Sequence, residues 1–178
     1  MLIEDLKYPI GKFTKTEVPT PEFIENCIAI LESFPDKIRL VTENMSDNQL
    51  DTCYREGGWS VRQVVTHLAD SHINSYVRLK LALTEDKPII KPFNENDWSN
   101  LIDSTQMPIE PALKIIEGVH QKWVYLLKSL TFEQLSISFV HPQRGREMSL
   151  LENVELYSWH CLHHLAHITK LKDRMGWN

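Results

Sequence analysis

The stretch Ser149-Leu-Leu-Glu-Asn-Val-Glu-Leu-Tyr-Ser-Trp-His160-Cys-Leu-His-His164-Leu-Ala-His167-Ile-Thr-Lys-Leu-Lys-Asp-Arg-Met-Gly176 decides how this chain is read. Ser149 with Glu152 three residues later is a capping-box pattern, which satisfies free N–H groups at a helix start. Gly176 after the last periodic residue is a stop signal. Between them Leu150, Val154, Tyr157, Cys161, Leu165, Ile168 and Met175 recur at helical spacing and form one apolar stripe. One long amphipathic helix is predicted. Half of the chain's 8 histidines fall within it, between His160 and His167.

Upstream, Thr20-Pro21-Glu22 is a second helix start, with Thr as cap and Pro at the first helical position. Phe23, Cys27, Ile30, Leu31 and Phe34 follow at helical spacing; Pro35 is expected to kink or split this helix, which resumes through Ile38, Val41 and Met45. Ser46-Asp47-Asn48-Gln49 can open a short helical turn. After Gly57-Gly58, the box Ser60-Val-Arg-Gln63 begins a helix of about six turns with Val61, Val64, Val65, Leu68, His72, Leu79 and Leu83 on one face. Residues 86–111, with Pro88, Pro92, Pro108 and Pro111, form a long connection of the kind that is often functional or packs as a lid. A further helix runs from Pro111 to Leu130 through Leu113, Ile116, His120, Trp123 and Leu127, and residues 137–148 make a small hairpin around Gly145. The prediction is an all-α chain: one helical bundle domain over 1–178, built on four main helices with a long irregular crossover and a small β-hairpin before the last helix. Residues 1–19, with Pro9, Gly11 and Pro19, read as an extended N-terminal arm.

Composition narrows the function. A chain of 178 residues, 42% hydrophobic and 24% charged, is long enough to bury a core without staples. Its net charge of −5 opposes binding to nucleic-acid phosphates. Cys27, Cys53 and Cys161 form no CxxC pair and read as reduced thiols. The start Met1-Leu2-Ile3-Glu4-Asp5-Leu6 has acids where a signal peptide carries basic residues, and no apolar run approaches the roughly 20 residues of a membrane span. A soluble cytoplasmic protein is expected, with no nucleic-acid or membrane partner.

The histidines carry the chemistry. His160 and His164 are one helical turn apart, as are His163 and His167, and either pair can present two imidazoles to one ion. On the helical wheel His164 lies roughly 50° and His160 roughly 90° from the centre of the apolar stripe; His167 lies near 110° and His163 near 150°. The pair His160 and His164 thus borders the buried side, where another helix can add a ligand, and His163 is expected to face solvent. No acid lies between the pair, so this is not the zincin motif, and only Glu117-Gly-Val-His120 matches the runs of a ferritin-like di-iron site. Cys161, on the stripe, reads as packing. For a third ligand, spacing leaves His67, His72, His120 and His141 open.

Two runs carry a resemblance: Gly57-Gly-Trp-Ser-Val-Arg-Gln-Val-Val-Thr-His67-Leu-Ala-Asp-Ser-His-Ile-Asn-Ser-Tyr-Val-Arg78, and Tyr157-Ser-Trp-His160-Cys-Leu-His-His164-Leu-Ala-His-Ile-Thr169. With Tyr8-Pro-Ile-Gly11, Leu50-Asp51, His120 with Trp123, His141-Pro142 and Arg174-Met-Gly-Trp177, the chain resembles the YfiT-type branch of the DinB-like proteins over essentially its whole length. The resemblance implies a homodimeric four-helix bundle whose three histidines, here His67, His160 and His164, bind one divalent metal ion per chain, zinc first and nickel second. The family pattern has another His just before the His67 position, where this chain has Thr66. It also implies a metal-dependent hydrolase of a small-molecule substrate, since zinc in such a site lowers the pKa of bound water from about 15.7 to about 7. Thiolates are good zinc ligands too, so the alternative is a low-molecular-weight thiol S-transferase of the bacillithiol type. A non-catalytic metal-binding bundle is the third reading. No catalytic residue is assigned. Asp70, His72, Glu117 and His120 are candidates for a base, with Asp70 alternatively hydrogen-bonding a ligand's second nitrogen, and Arg55, Arg62 and Arg78 are candidate partners for a cosubstrate's carboxylates.

Overall fold

In a computed structural model, residues 3–177 are described; the first two residues of the predicted arm, and Asn178, lie outside them. Four long helices form the bundle: α2 (Pro21–Thr42), α4 (Val61–Thr84), α7 (Glu110–Lys128) and α8 (Leu150–Met175). Each of α2 and α4 packs on both α7 and α8, so the order around the bundle is α2, α7, α4, α8. Helices α2 and α4, consecutive among the four, are therefore diagonal. The buried seam is lined by Leu31, Phe34 and Ile38 of α2, Val65, Leu68 and Leu79 of α4, Ile116, Trp123 and Leu127 of α7, and Val154, Cys161 and Ile168 of α8.

The caps follow the sequence. Thr20 accepts from Phe23 N at 3.2 Å, Ser46 and Gln49 form a reciprocal box on the short helix α3 (Asp47–Leu50), and Ser60 and Gln63 form another that starts α4. At α8, Ser149 Oγ accepts from Glu152 N at 3.2 Å, but the Glu152 carboxylate turns away to Arg146 and Lys15. Gly176 ends α8 at φ 64°, a left-handed conformation that glycine adopts without strain.

Helix α2 runs unbroken through Pro35, so the expected split does not occur. Proline has no N–H, and in an α-helix the donor missing at Pro35 is the one that would reach the carbonyl of Leu31. That carbonyl finds its partner on another helix, as described below. The connection after α4 holds two short helices, α5 (Glu95–Ser99) and α6 (Ile102–Thr105), with Asn94 capping the first. Strands β1 (Ser138–His141) and β2 (Arg146–Ser149) pair antiparallel, Phe139 opposite Met148, around Gly145. The connection is tied to this hairpin by Val140 N to Pro88 O (2.9 Å) and Ile90 N to Val140 O (3.1 Å).

The N-terminal segment departs from the expected extended arm: it opens with a short helix, α1 (Ile3–Lys7). It then lies along α8. Thr16 donates through both N (2.9 Å) and Oγ1 (2.6 Å) to Glu155, Lys15 pairs with Glu152 at 3.3 Å, and Lys170 donates to Pro9 O. Glu152 and Glu155, on the outer side of α8, are buried by this cover.

Candidate metal centre

His67 on α4 and His160 and His164 on α8 converge at one point. Their Nε2 atoms are 3.1 Å apart for His67–His160 and 3.1 Å for His160–His164, and the three ligand atoms lie within 4.8 Å of one another. Nitrogens held at about 2.0–2.1 Å from one ion in a tetrahedral array are about 3.3–3.4 Å apart, so this spacing suits a shared cation with little movement. The indole of Trp59 covers the group, its centroid 4.7 Å from the His67 ring. Burial pushes the His67 pKa down to about 4, with the His163 charge adding to it, and burial drives His160 and His164 well below the ordinary histidine value. At neutral pH the rings are therefore neutral, as metal ligation requires.

A neutral imidazole has one N–H and one lone pair, and the surroundings fix which nitrogen carries which. His120 Nδ1 is 2.6 Å from Leu31 O, the carbonyl that Pro35 leaves without a helical donor. A carbonyl only accepts, so His120 Nδ1 carries the proton and Nε2 is bare. His72 Nδ1, 2.7 Å from that bare nitrogen, must then donate to it. This leaves His72 Nε2 to accept from His160 Nδ1 at 3.1 Å. His160 Nε2 is therefore a lone pair. Burial keeps both inner rings neutral, pushing His120 to about 4 and His72 well below the ordinary value.

A second chain of bonds fixes His164. Lys7 is the last residue of α1, and its carbonyl belongs to the helix end that lacks internal donors. His167 Nε2 donates to it at 3.2 Å, so His167 Nδ1 is bare and accepts from His164 Nδ1 at 3.4 Å. His164 Nε2 is thus a lone pair as well. Two lone pairs face each other across 3.1 Å with no proton between them, and a cation is what such a pair accommodates. The residues fit the ion.

Beside the three histidines lies a cleft of about 500 Å³. Trp59, Phe93 and Trp159 form apolar walls; Ser71, Arg78, Asn153 and Tyr157 line it on the α4 and α8 sides, and His141 and Arg144 come from the hairpin. Glu95, at the start of α5, is the one acid among the described lining residues.

The comparisons with known proteins agree with this architecture. Residues 30–168 match the model of the DinB superfamily. The chain belongs to the DinB superfamily. It is 47% identical over 175 residues, 98% of this chain and 100% of the relative, to a Bacillus cereus (strain 03BB102) protein named "Putative metal-dependent hydrolase". A Bacillus anthracis protein of the same description is 47% identical over the same shares. Among solved structures it is similar to YfiT from Bacillus subtilis, described as a probable metal-dependent hydrolase with an unusual four-helix bundle topology. The TM-score is 0.95 at 46% identity, covering 98% of this chain and 99% of that one.

Several expectations for this DinB-superfamily chain are corrected by the structure. His163 does not face solvent: it is buried, stacked on Trp159 at 4.4 Å and covered by the N-terminal segment through Tyr8. The wheel measured α8 against the bundle and took no account of a segment closing over its other side. None of the four candidate bases lines the cleft. His72 and His120 are inside the hydrogen-bonded chain, and Glu117 is on the far side near Arg39, at 3.7 Å. Asp70 is half-buried away from the cleft and touches no ligand nitrogen; burial, with the nearby Asp103 charge, raises its pKa to about 6. The support expected of Asp70 comes instead from His72 and His167. Of the three arginines, Arg62 is committed to Asp51 (2.7 Å) and Asp47 (2.9 Å), Arg55 donates to Glu56 O, and Arg78 reaches the cleft. Glu95 escaped sequence reading because its place in a proline-rich connection gives no spacing to read.

Proposed function

We propose that this protein is a metal-dependent hydrolase of a small molecule. In this reading one divalent cation per chain, zinc first and nickel second, is held by Nε2 of His67, His160 and His164. The observation that carries it is the pair of bare nitrogens on His160 and His164, aimed at each other across 3.1 Å and held so by backbone carbonyls two and three rings away. The cation would supply a Lewis acid that activates water at neutral pH. The chain's own groups do the rest. Trp59, Phe93 and Trp159 give the cleft apolar walls, beside which electrostatic interactions are stronger than in open water. Glu95, the one acid among the described lining residues, would be the candidate to take a proton from water in the cleft. The names of the relatives support the metal dependence and the reaction class. A homodimer in the cytoplasm, with no nucleic-acid or membrane partner, belongs to the same proposal. In keeping with it, no helix of the described residues is long and apolar enough to cross a membrane.

The test is His160→Ala. Metal content is expected to fall to well under one ion per chain while helicity stays near that of the parent. Unchanged stoichiometry rejects the ligand set. The reaction class is tested by giving the metal-loaded protein a reactive ester with and without bacillithiol, where turnover in the presence of thiol alone rejects hydrolysis in favour of S-transfer.

A further inference from the structure

We infer that Arg78 is an anion-binding group, and that the molecule entering the cleft carries a carboxylate or phosphate which the Arg78 guanidinium holds. The inference deepens the reading above, naming the substrate class for the same cleft.

Residues 67, 71, 75 and 78 share one face of α4, because 11 residues make about three full turns. His67 and Arg78 therefore face the cleft together, about 16 Å apart along the helix axis at 1.5 Å per residue. Arg78 is only 8% exposed, and it pairs with no carboxylate among the described residues. The ion pairs there use Lys12, Lys15, Arg39, Arg62, Lys87, Lys114, Lys128 and Arg146.

Arg62, on the same helix, shows what a structural arginine looks like in this fold. It is 4% exposed and meets Asp51, Asp47 and the Met107 carbonyl. A buried charge without a partner is unfavourable, so Arg78 departs from the rule that its neighbour obeys. Its surroundings are equally incomplete. Asn153 spends its Nδ2 on Ser75 Oγ at 2.8 Å, while its Oδ1 is buried without a partner, as is Nδ1 of His141. Both residues line the cleft, where Arg144 adds a second, exposed cation. The Arg78 and Arg144 charges, after burial, hold the His141 pKa down, so that ring adds no third charge. One end of the cleft is thus cationic and unpaired, the other is the histidine group, and an anion that offers two oxygens, as carboxylate and phosphate both do, is what a free guanidinium fork binds best. The substrate is two-ended: its anion at Arg78, its reacting bond toward the histidines.

The test measures calorimetric binding of 4-phenylbutyrate, phenyl phosphate and the neutral 4-phenylbutyramide to the metal-loaded protein. At least one anion is expected to bind about tenfold or more tightly than the amide, and the better of the two tells carboxylate from phosphate. Arg78→Met and Arg78→Gln should both abolish the preference, and Arg78→Lys should keep part of it. The thermal midpoint of Arg78→Met should equal or exceed the parent's, whereas a structural arginine would lower it. Equal or undetectable affinities for all three probes overturn the inference, and so does a preference that survives Arg78→Met. Repeating the titration after chelation separates the two readings. A preference lost with the metal but retained in Arg78→Met assigns the anion to the metal, which overturns this inference and leaves the metal site standing. A preference that persists after chelation keeps the inference whatever becomes of the metal, and only failure of the parent protein to take up an ion removes the hydrolase reading.

Discussion

Replacing His120 should weaken metal binding although its ring touches none of the three proposed ligands. In the parent, the Leu31 carbonyl fixes a proton on His120 Nδ1, and the order passes through His72 to leave His160 Nε2 bare. In His120→Leu the Nδ1–H of His72 points into apolar surroundings, because His72 is fully buried. The metal-free protein can escape by moving the His72 proton to Nε2, which then donates to His160 Nδ1 and drives the His160 proton onto Nε2. Binding a cation must reverse that shift and strand the His72 N–H again. A buried unsatisfied donor costs about 1–3 kcal/mol, so affinity should fall between about fivefold and 150-fold. The assay is competition with a chromophoric chelator for zinc and for nickel, with circular dichroism to show that the bundle is intact. His120→Gln, whose amide oxygen can accept from His72, should recover most of the loss. A folded His120→Leu protein with parental affinity would refute the reasoning, since the proton order would then carry no energy.

Two further predictions concern pH. Burial holds His67, His120 and His163 at about 4 and His167 at about 3, against 6.5 for a free ring. Below pH 6.5 the unfolded chain takes up protons that the folded chain refuses, so stability is complete above that value and is lost as pH falls. At pH 5 each of the first three rings accounts for about 2 kcal/mol, and together they rival the whole stability of an ordinary domain. Metal-free protein should therefore unfold cooperatively between about pH 6.5 and 4, followed by circular dichroism; a native signal persisting to pH 3 contradicts this. Asp70 runs the other way. Its pKa is raised from 3.8 to about 6, so the folded state loses stability as pH rises between those values and stays lower above them. Asp70→Asn should gain stability at pH 7, by less than the about 3 kcal/mol of the full shift because solvent screens the half-buried carboxylate, and nothing near pH 3.5, in urea denaturation at both; a loss at pH 7 would show that the carboxylate has a partner worth keeping.

The sequence made the bundle legible because helix caps and apolar stripes are local signals. Thr20, Ser60 and Ser149 each start a helix where their side chains predict it, and Cys161 is core, as its place on the stripe requires. The pairing of His160 with His164 was readable for the same reason. What could not be read depends on contacts between distant segments. The burial of His163 depends on a segment some 150 residues away folding over α8, and a helical wheel contains no such information. Arg62 and Arg78 are alike as sequence, both on α4 and both buried; only the acids at Asp47 and Asp51 distinguish the structural one from the free one.

Pro35 shows most clearly how a local rule can be right while its consequence is misjudged. Proline in a helix interior removes a hydrogen bond and leaves a carbonyl unpaired, from which a kinked or split helix is expected. The helix continues, and the unpaired carbonyl becomes the fixed acceptor at the end of the chain from Leu31 through His120 and His72 to His160. The C-terminal carbonyl of α1 does the same for His164 through His167. Neutral imidazole exists in two tautomers of similar energy, and a ligand ring left free would present its N–H to the ion part of the time. An acceptor that cannot donate removes that freedom, and each intervening ring transmits the constraint because it has one proton to place. The backbone flaws that look like weaknesses in α1 and α2 are thus what keeps two nitrogens bare, and the histidine-rich interior is ordered from its outer carbonyls inward.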